Sequence, residues 1–144
     1  MKVLDANVLI YSVDADCAHH EAARRWIDTA LSGAEPIVMP WLCLVAFVRI
    51  TTHPRLYEHP LAASQALDAV DRWLGSPATR TDVPAAGLAG RLRQALEATG
   101  VGGNTVNDAW LAALAVSLDA ELVSFDTDFA RFPSLTWVNP AASG

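Results

Sequence analysis

Met1-Lys2-Val3-Leu4-Asp5-Ala6-Asn7-Val8-Leu9-Ile10-Tyr11 is the stretch that decides the fold. Lys2 to Leu4 reads as a short buried strand, Asp5 ends it, and Asn7 to Val13 can form a short helix. A buried strand that turns directly into a helix is the first half of a parallel α/β unit. A carboxylate placed just past the strand faces the crevice where such sheets bind ligands. The same order returns late in the chain, in Glu121-Leu122-Val123-Ser124-Phe125 followed by Asp126-Thr127-Asp128. Between the two lies Asp108, at the start of the Ala/Leu-rich run Asp108-Ala109-Trp110-Leu111-Ala112-Ala113-Leu114-Ala115.

Outward from these stretches, helices and short strands alternate. Apolar periodicity predicts a helix over Ala18 to Leu31, with Ala22, Trp26 and Ala30 on one face and Arg24, Arg25 and Asp28 on the other. Ser32-Gly33-Ala34 stops it, and Pro36 to Met39 forms a short strand. A very apolar helix over Trp41 to Thr52 ends at His53-Pro54. Further helices are expected over Leu61 to Leu74, over Pro84 to Ala98 with proline at its start, and over Thr105 to Leu118. Asn104 is the expected cap of that last helix, and Gly100-Val101-Gly102-Gly103 reads as a loop. Strands are expected over Ala78 to Thr81, Leu122 to Phe125 and Leu135 to Val138. The fold class is α/β, a single domain over residues 1–144. It has a mostly parallel sheet of about 4–5 short strands with helices on both faces. No repeat, low-complexity segment or interdomain linker is present.

Composition bounds the function. Of 144 residues, 52% are hydrophobic and 18% charged, enough for a core and unlike a disordered chain. The net charge of -6 excludes a nucleic-acid binder that works by charge alone. Contacts to nucleic acid must then be local, bridged by a metal or aided by a partner. Cys17 and Cys43 form no CxxC or Cys/His cluster and read as reduced thiols, which points to a cytoplasmic protein. The N-terminus runs straight into a strand, so no signal peptide is expected. The longest apolar stretch, Ile37 to Val48, is broken by Pro40 and falls short of the roughly 20 residues of a membrane span.

The aspartates carry the chemistry. Asp5, Asp108 and Asp126 occupy strand ends or a first helical turn, and clustered carboxylates repel unless a cation sits among them. Oxygen-only donors suit a hard divalent ion such as Mg2+, with Mn2+ able to substitute. Phosphodiester hydrolysis is a common use of such a site. Asp128 either joins Asp126 as a ligand or only caps the turn into Phe129. Asn7 either orients Asp5 as an outer amide or caps a helix. Ser124 either bonds a carboxylate or is an ordinary strand hydroxyl. Arg49, on an otherwise apolar helix, either binds a substrate phosphate or pairs with an aspartate. The histidines have no HxxxH or HExxH spacing, so zinc is not indicated, and the glycines form neither GxGxxG nor a P-loop.

Asp5-Ala6-Asn7-Val8-Leu9-Ile10-Tyr11, then Asn107-Asp108-Ala109-Trp110-Leu111-Ala112-Ala113-Leu114-Ala115, then Leu122-Val123-Ser124-Phe125-Asp126-Thr127-Asp128-Phe129 together resemble the PIN-domain family. More narrowly the chain is similar to the VapC ribonuclease toxins of bacterial toxin–antitoxin pairs. Phe47-Val48-Arg49-Ile50-Thr51-Thr52-His53-Pro54-Arg55 and the closing Phe132 to Pro140 carry the likeness further, so that it covers essentially the whole chain. The resemblance implies a Mg2+-dependent endoribonuclease that hydrolyses RNA through a metal-activated water. It implies a homodimer held inactive by a cognate VapB-type antitoxin. It makes Asp5, Asp108 and Asp126 catalytic metal ligands, with Asp128 accessory. One acid of the family pattern, a Glu ahead of the Phe-x-Arg stretch, falls at Ala46, and no Asp or Glu lies between Pro36 and Tyr57. That departure motivates the alternative of a weak or inactive PIN-like module that binds RNA or a partner. A receiver-type phosphotransfer domain would need a lysine late in the chain, and the one lysine is Lys2.

Overall fold

The computed structural model describes residues 1–81, 83–100 and 105–143. The expectations for Val101 to Gly103 and for Asn104 as a cap lie outside the described residues. Five short strands, β1 (Lys2–Leu4), β2 (Ile37–Val38), β3 (Thr79–Arg80), β4 (Glu121–Val123) and β5 (Trp137–Val138), form one sheet in the order β3-β2-β1-β4-β5. Every pairing is parallel. Val3 lies opposite Val38 on one side and Leu122 on the other, which makes β1 the central strand. Val3, Leu4, Ile37, Val38, Leu122 and Val123 are all buried, the mark of a parallel sheet covered on both faces.

Among the described residues six helices complete the fold: α1 (Ala6–Val13), α2 (His20–Leu31), α3 (Trp41–Thr51), α4 (Ala63–Leu74), α5 (Leu88–Thr99) and α6 (Thr105–Ser117). Helix α1 packs on both α2 and α3, α3 packs on α4, and α5 packs on α6. Right-handed crossovers that run first from β1 to β3 and then back to β4 place these two groups on opposite faces of the sheet. Val8, Leu9, Leu44, Phe47, Leu111 and Leu114 drive the packing. Burying each such side chain is worth about 1.5–3 kcal/mol. A short 3-10 turn, Thr127–Arg131, follows β4.

Most expected elements are present, but shortened at their ends. The largest difference is α5, which begins at Leu88 rather than Pro84. Gly87 precedes it in a left-handed conformation, φ 71°, which interrupts helical propagation. The second helix begins at His20 rather than Ala18, because Cys17 to His20 forms its own turn, closed by a 3.0 Å bond from His20 N–H to Cys17 O. Among the described residues no helix is long and apolar enough to cross a membrane.

Candidate active site

The strand order reverses direction between β1 and β4, and ligands of open α/β sheets bind where the strand order reverses, beyond the carboxyl ends of the strands. Asp5 leaves β1 at that point. Its N–H donates to Val123 O at 3.0 Å, which extends the β1–β4 ladder by one residue and sets the direction of the side chain. Across the gap Ser124, fully buried, donates from Oγ to Asp5 Oδ2 at 2.7 Å. The same Oγ accepts from Asn7 Nδ2 at 3.0 Å and from Asp126 N–H at 3.0 Å. Asn7 Oδ1 in turn accepts from Phe125 N–H at 3.2 Å. One hydroxyl therefore ties the two strand ends together and fixes where Asp5 and Asp126 stand.

A cavity of about 320 Å³ opens above this junction. Asp5, Asp108 and Asp126 border it, with Arg49, Ala46 and Cys43 of α3 on the facing wall and Leu42, Val45, Ile50 and Leu111 as its apolar parts. Burial is the first cause that lifts the carboxyl of Asp108 from its ordinary 3.8 to about 6. The negative charges of Asp5 and Asp126 add to the rise, and Arg131 opposes it. Asp5 is also raised, by burial first and by Asp126, against the hydrogen bond from Ser124. A cavity in which carboxylates hold protons this tightly is short of positive charge.

Among the described residues no three Asp, Glu, His or Cys side chains converge closely enough to chelate an ion as they stand. The three aspartates border one cavity without closing into a cage. That arrangement, with oxygen donors only from the acids, fits Mg2+ or Mn2+, which keep several waters and take few direct protein ligands. It does not fit a dedicated zinc site.

Of the residues singled out from the sequence, Asp5, Asp108, Asp126 and Arg49 line the cavity, and Asn7 and Ser124 buttress it. Arg49 makes no ion pair among the described residues, so its guanidinium is free to meet an anion. Asp128 is exposed and outside the cavity lining, and its backbone N–H donates to Asp126 Oδ1 at 2.8 Å. It is thus Asp126 that caps the 3-10 turn, while the charge of Asp128 adds weakly to the rise at Asp108. Arg131 was not visible as a site residue: its guanidinium reaches Asp108 Oδ2 at 3.3 Å from the end of the turn. Trp137 Nε1 donates to Ser124 O at 2.9 Å and holds the strand end from the β5 side.

Fold and site together define a class: a doubly wound parallel α/β domain with an acidic cavity at its switch point. The model of the PIN domain family matches residues 2–135. The chain is 44% identical over 142 residues to Ribonuclease VapC37 of Mycobacterium tuberculosis, an alignment that covers 99% of each. It is 33% identical over 140 residues to Ribonuclease VapC31 of the same organism, covering 97% of this chain and 99% of the relative. Among solved structures, a VapBC2 complex from Rickettsia felis bound to a promoter DNA fragment superposes with a TM-score of 0.66 at 20% identity, covering 96% of this chain and 97% of that one. Mycobacterium tuberculosis VapC20, described as a toxin that cleaves the Sarcin-Ricin loop, gives a TM-score of 0.65 at 17% identity, covering 94% and 99%. The two structures share the fold. The chain belongs to the PIN-domain family, in its VapC branch.

Proposed function

We propose that this protein is a divalent-metal-dependent endoribonuclease and the toxin half of a VapBC-type toxin–antitoxin pair. The observation that carries the reading is the meeting of Asp5, Asp108 and Asp126 on one cavity that Arg49, without an ion pair among the described residues, also lines. Full-length identity of 44% to a protein named a ribonuclease supports it.

Asp5, Asp108 and Asp126 would hold a Mg2+ or Mn2+ ion. When bound, such an ion polarises the scissile phosphate and acidifies water for attack. The remaining work falls to this chain's own side chains. Ser124 and Asn7 keep Asp5 and Asp126 in place, so that no reorganisation is needed as charge develops. Arg49 meets a phosphate oxygen of the strand with paired N–H donors. Leu42, Val45, Ile50 and Leu111 narrow the wet part of the cavity, which strengthens these interactions. Arg131 neutralises Asp108 until substrate or ion arrives.

Trp41, Leu42 and Val45 project from α3 at 47%, 41% and 58% exposure, beside the cavity mouth. An apolar ridge of this kind suits a homodimer contact and the seat of a VapB-type antitoxin segment. An antitoxin arginine that reached the aspartates would compete with the ion.

A second reading, an inactive module that binds RNA or a partner, is favoured by one observation: Ala46 lines the cavity where the family pattern has a glutamate. Incubation of total RNA with the purified protein separates the two. Discrete fragments with Mg2+, absent with EDTA and with Asp5→Asn or Asp108→Asn, support the nuclease. No cutting by folded wild-type protein across several RNA pools supports the binding module.

A further inference from the structure

We infer that His19 is a stacking platform for an unpaired base of the RNA strand that enters the carboxylate cavity. The inference deepens the ribonuclease reading and rests on it. Phe125 sits in the chain between Ser124 and Asp126, so its backbone adjoins the cavity although its side chain is not part of the lining. That ring is buried, and His19 lies stacked on it with centroids 4.7 Å apart and planes 27° from parallel. Tyr11 braces both rings, 5.3 Å from Phe125 and 5.8 Å from His19. His19 itself is exposed. One face of the imidazole is therefore taken by Phe125, and the exposed ring remains open to solvent.

The two adjacent histidines are used differently. His20 is anchored, its Nδ1 2.9 Å from Tyr11 O and its Nε2 4.0 Å from Glu21. The His19 ring has no hydrogen bond or ion pair among the described residues. Yet its backbone is pinned: its N–H donates to Cys17 Sγ at 3.4 Å, Cys17 N–H donates to Asp14 O at 3.1 Å, and Asp16 N–H donates to Asp14 Oδ1 at 3.2 Å. A planar ring held on a tied-down turn loses little freedom when a second ring settles on it.

Charge explains the need for such a platform. With a net charge of -6 the protein gains little from general attraction to phosphates. Stacking on a π-face does not depend on charge, and it is available only from bases that are not already paired in a helix. The geometry therefore points to single-stranded RNA, a loop or an unpaired junction, with one base splayed onto His19 while the neighbouring phosphate enters the cavity.

The test uses the full chain and a hairpin RNA with an unpaired loop that carries 2-aminopurine, placed next to the scissile bond where the wild type cuts. His19→Ala and His19→Leu should raise KM about tenfold with kcat within about twofold, and His19→Phe should restore KM. In an Asp108→Asn background, 2-aminopurine fluorescence should be quenched on binding, and adding His19→Ala should abolish the quenching. Quenching of that kind without cleavage by the wild type would support the platform while removing the nuclease reading. Unchanged KM in the Ala and Leu variants of a cleaving enzyme overturns the platform alone. A Phe variant as weak as the Ala variant overturns it too, by assigning the imidazole nitrogens a chemical role. Neither cleavage nor RNA binding by the wild type removes both.

Discussion

Ser124 Oγ donates to Asp5 Oδ2 at 2.7 Å across 119 positions of sequence, and this one bond joins the ends of the two strands that flank the switch point. The hydroxyl is saturated, with one bond donated and two accepted, from Asn7 and from Asp126 N–H. Ser124→Ala should therefore act twice. It leaves an amide and a backbone N–H without their partner, at a cost of about 1–3 kcal/mol, which a thermal melt reads. It also loosens both carboxylates, and loss of an outer-shell partner of this kind lowers metal affinity or activity about 10–100-fold. Ser124→Thr, which keeps the oxygen but adds a methyl to a fully buried site, should recover activity only in part.

Asp108 predicts a particular pH dependence for the metal-free protein. Its carboxyl is raised from 3.8 to about 6 in the fold, so the folded state binds that proton more tightly than the unfolded chain. The stability it contributes is fully present below pH 4 and is lost as pH rises through about 6. In EDTA the Tm difference between wild type and Asp108→Asn should therefore shift against the wild type between pH 4 and pH 7. Asp5, raised in the same direction, adds to the wild-type slope, and Glu35, held low by its bond to the N-terminal amine, opposes it equally in both proteins. Mg2+ should raise the wild-type Tm at pH 7.5 and have little effect at pH 5, where protons occupy the same oxygens. Identical pH slopes for the two proteins in EDTA would show that Asp108 titrates normally.

These residues also show what sequence can and cannot reveal. Asp5 and Asp126 stand at the ends of apolar runs that can only be buried strands, and a parallel sheet brings such ends together whatever the loops do. Asp108 was legible because a charge inside so apolar a helix needs a partner. Arg131 was not, since its reach to Asp108 depends on the path of the 3-10 turn Thr127–Arg131, which no periodicity encodes. The stacking of His19 on Phe125 was hidden for the same reason, because the Cys17–His20 turn displaces the helix start. At α5 the proline signal at Pro84 was overridden by the left-handed Gly87.

Asp119 offers a stability test remote from the cavity. It ends the turn after α6 with φ 51°, the one positive φ among the described non-glycine residues, while Ala120 N–H donates to Ala115 O at 2.9 Å. This closes the helix in the manner that glycine serves best. Asp119→Gly should stabilise the protein by about 0.5–1 kcal/mol, and Asp119→Val should destabilise it, because a branched side chain tolerates this conformation poorly. Cleavage by both should match the wild type once each is folded. A lower Tm for the glycine variant would mean that the Asp119 side chain does something beyond tolerating the turn.

Ala46 allows the site to be rebuilt. It is half-buried on the α3 wall of the cavity, one turn beyond Cys43 and three residues before Arg49. Ala46→Glu would place a fourth carboxylate opposite the other three. Without metal, the added charge should push Asp108 higher still and lower stability, since like charges in a partly buried cavity repel. With metal the sign reverses: an extra oxygen ligand should tighten Mg2+ binding and support a second ion about 3.5–4 Å from the first. The expected pattern is a lower Tm in EDTA, a larger Tm gain on adding Mg2+, and faster cleavage at low Mg2+. Isothermal titration would read the binding stoichiometry directly. An Ala46→Glu protein that loses stability in EDTA but gains neither Mg2+ affinity nor rate would show that this wall faces the RNA rather than the ion.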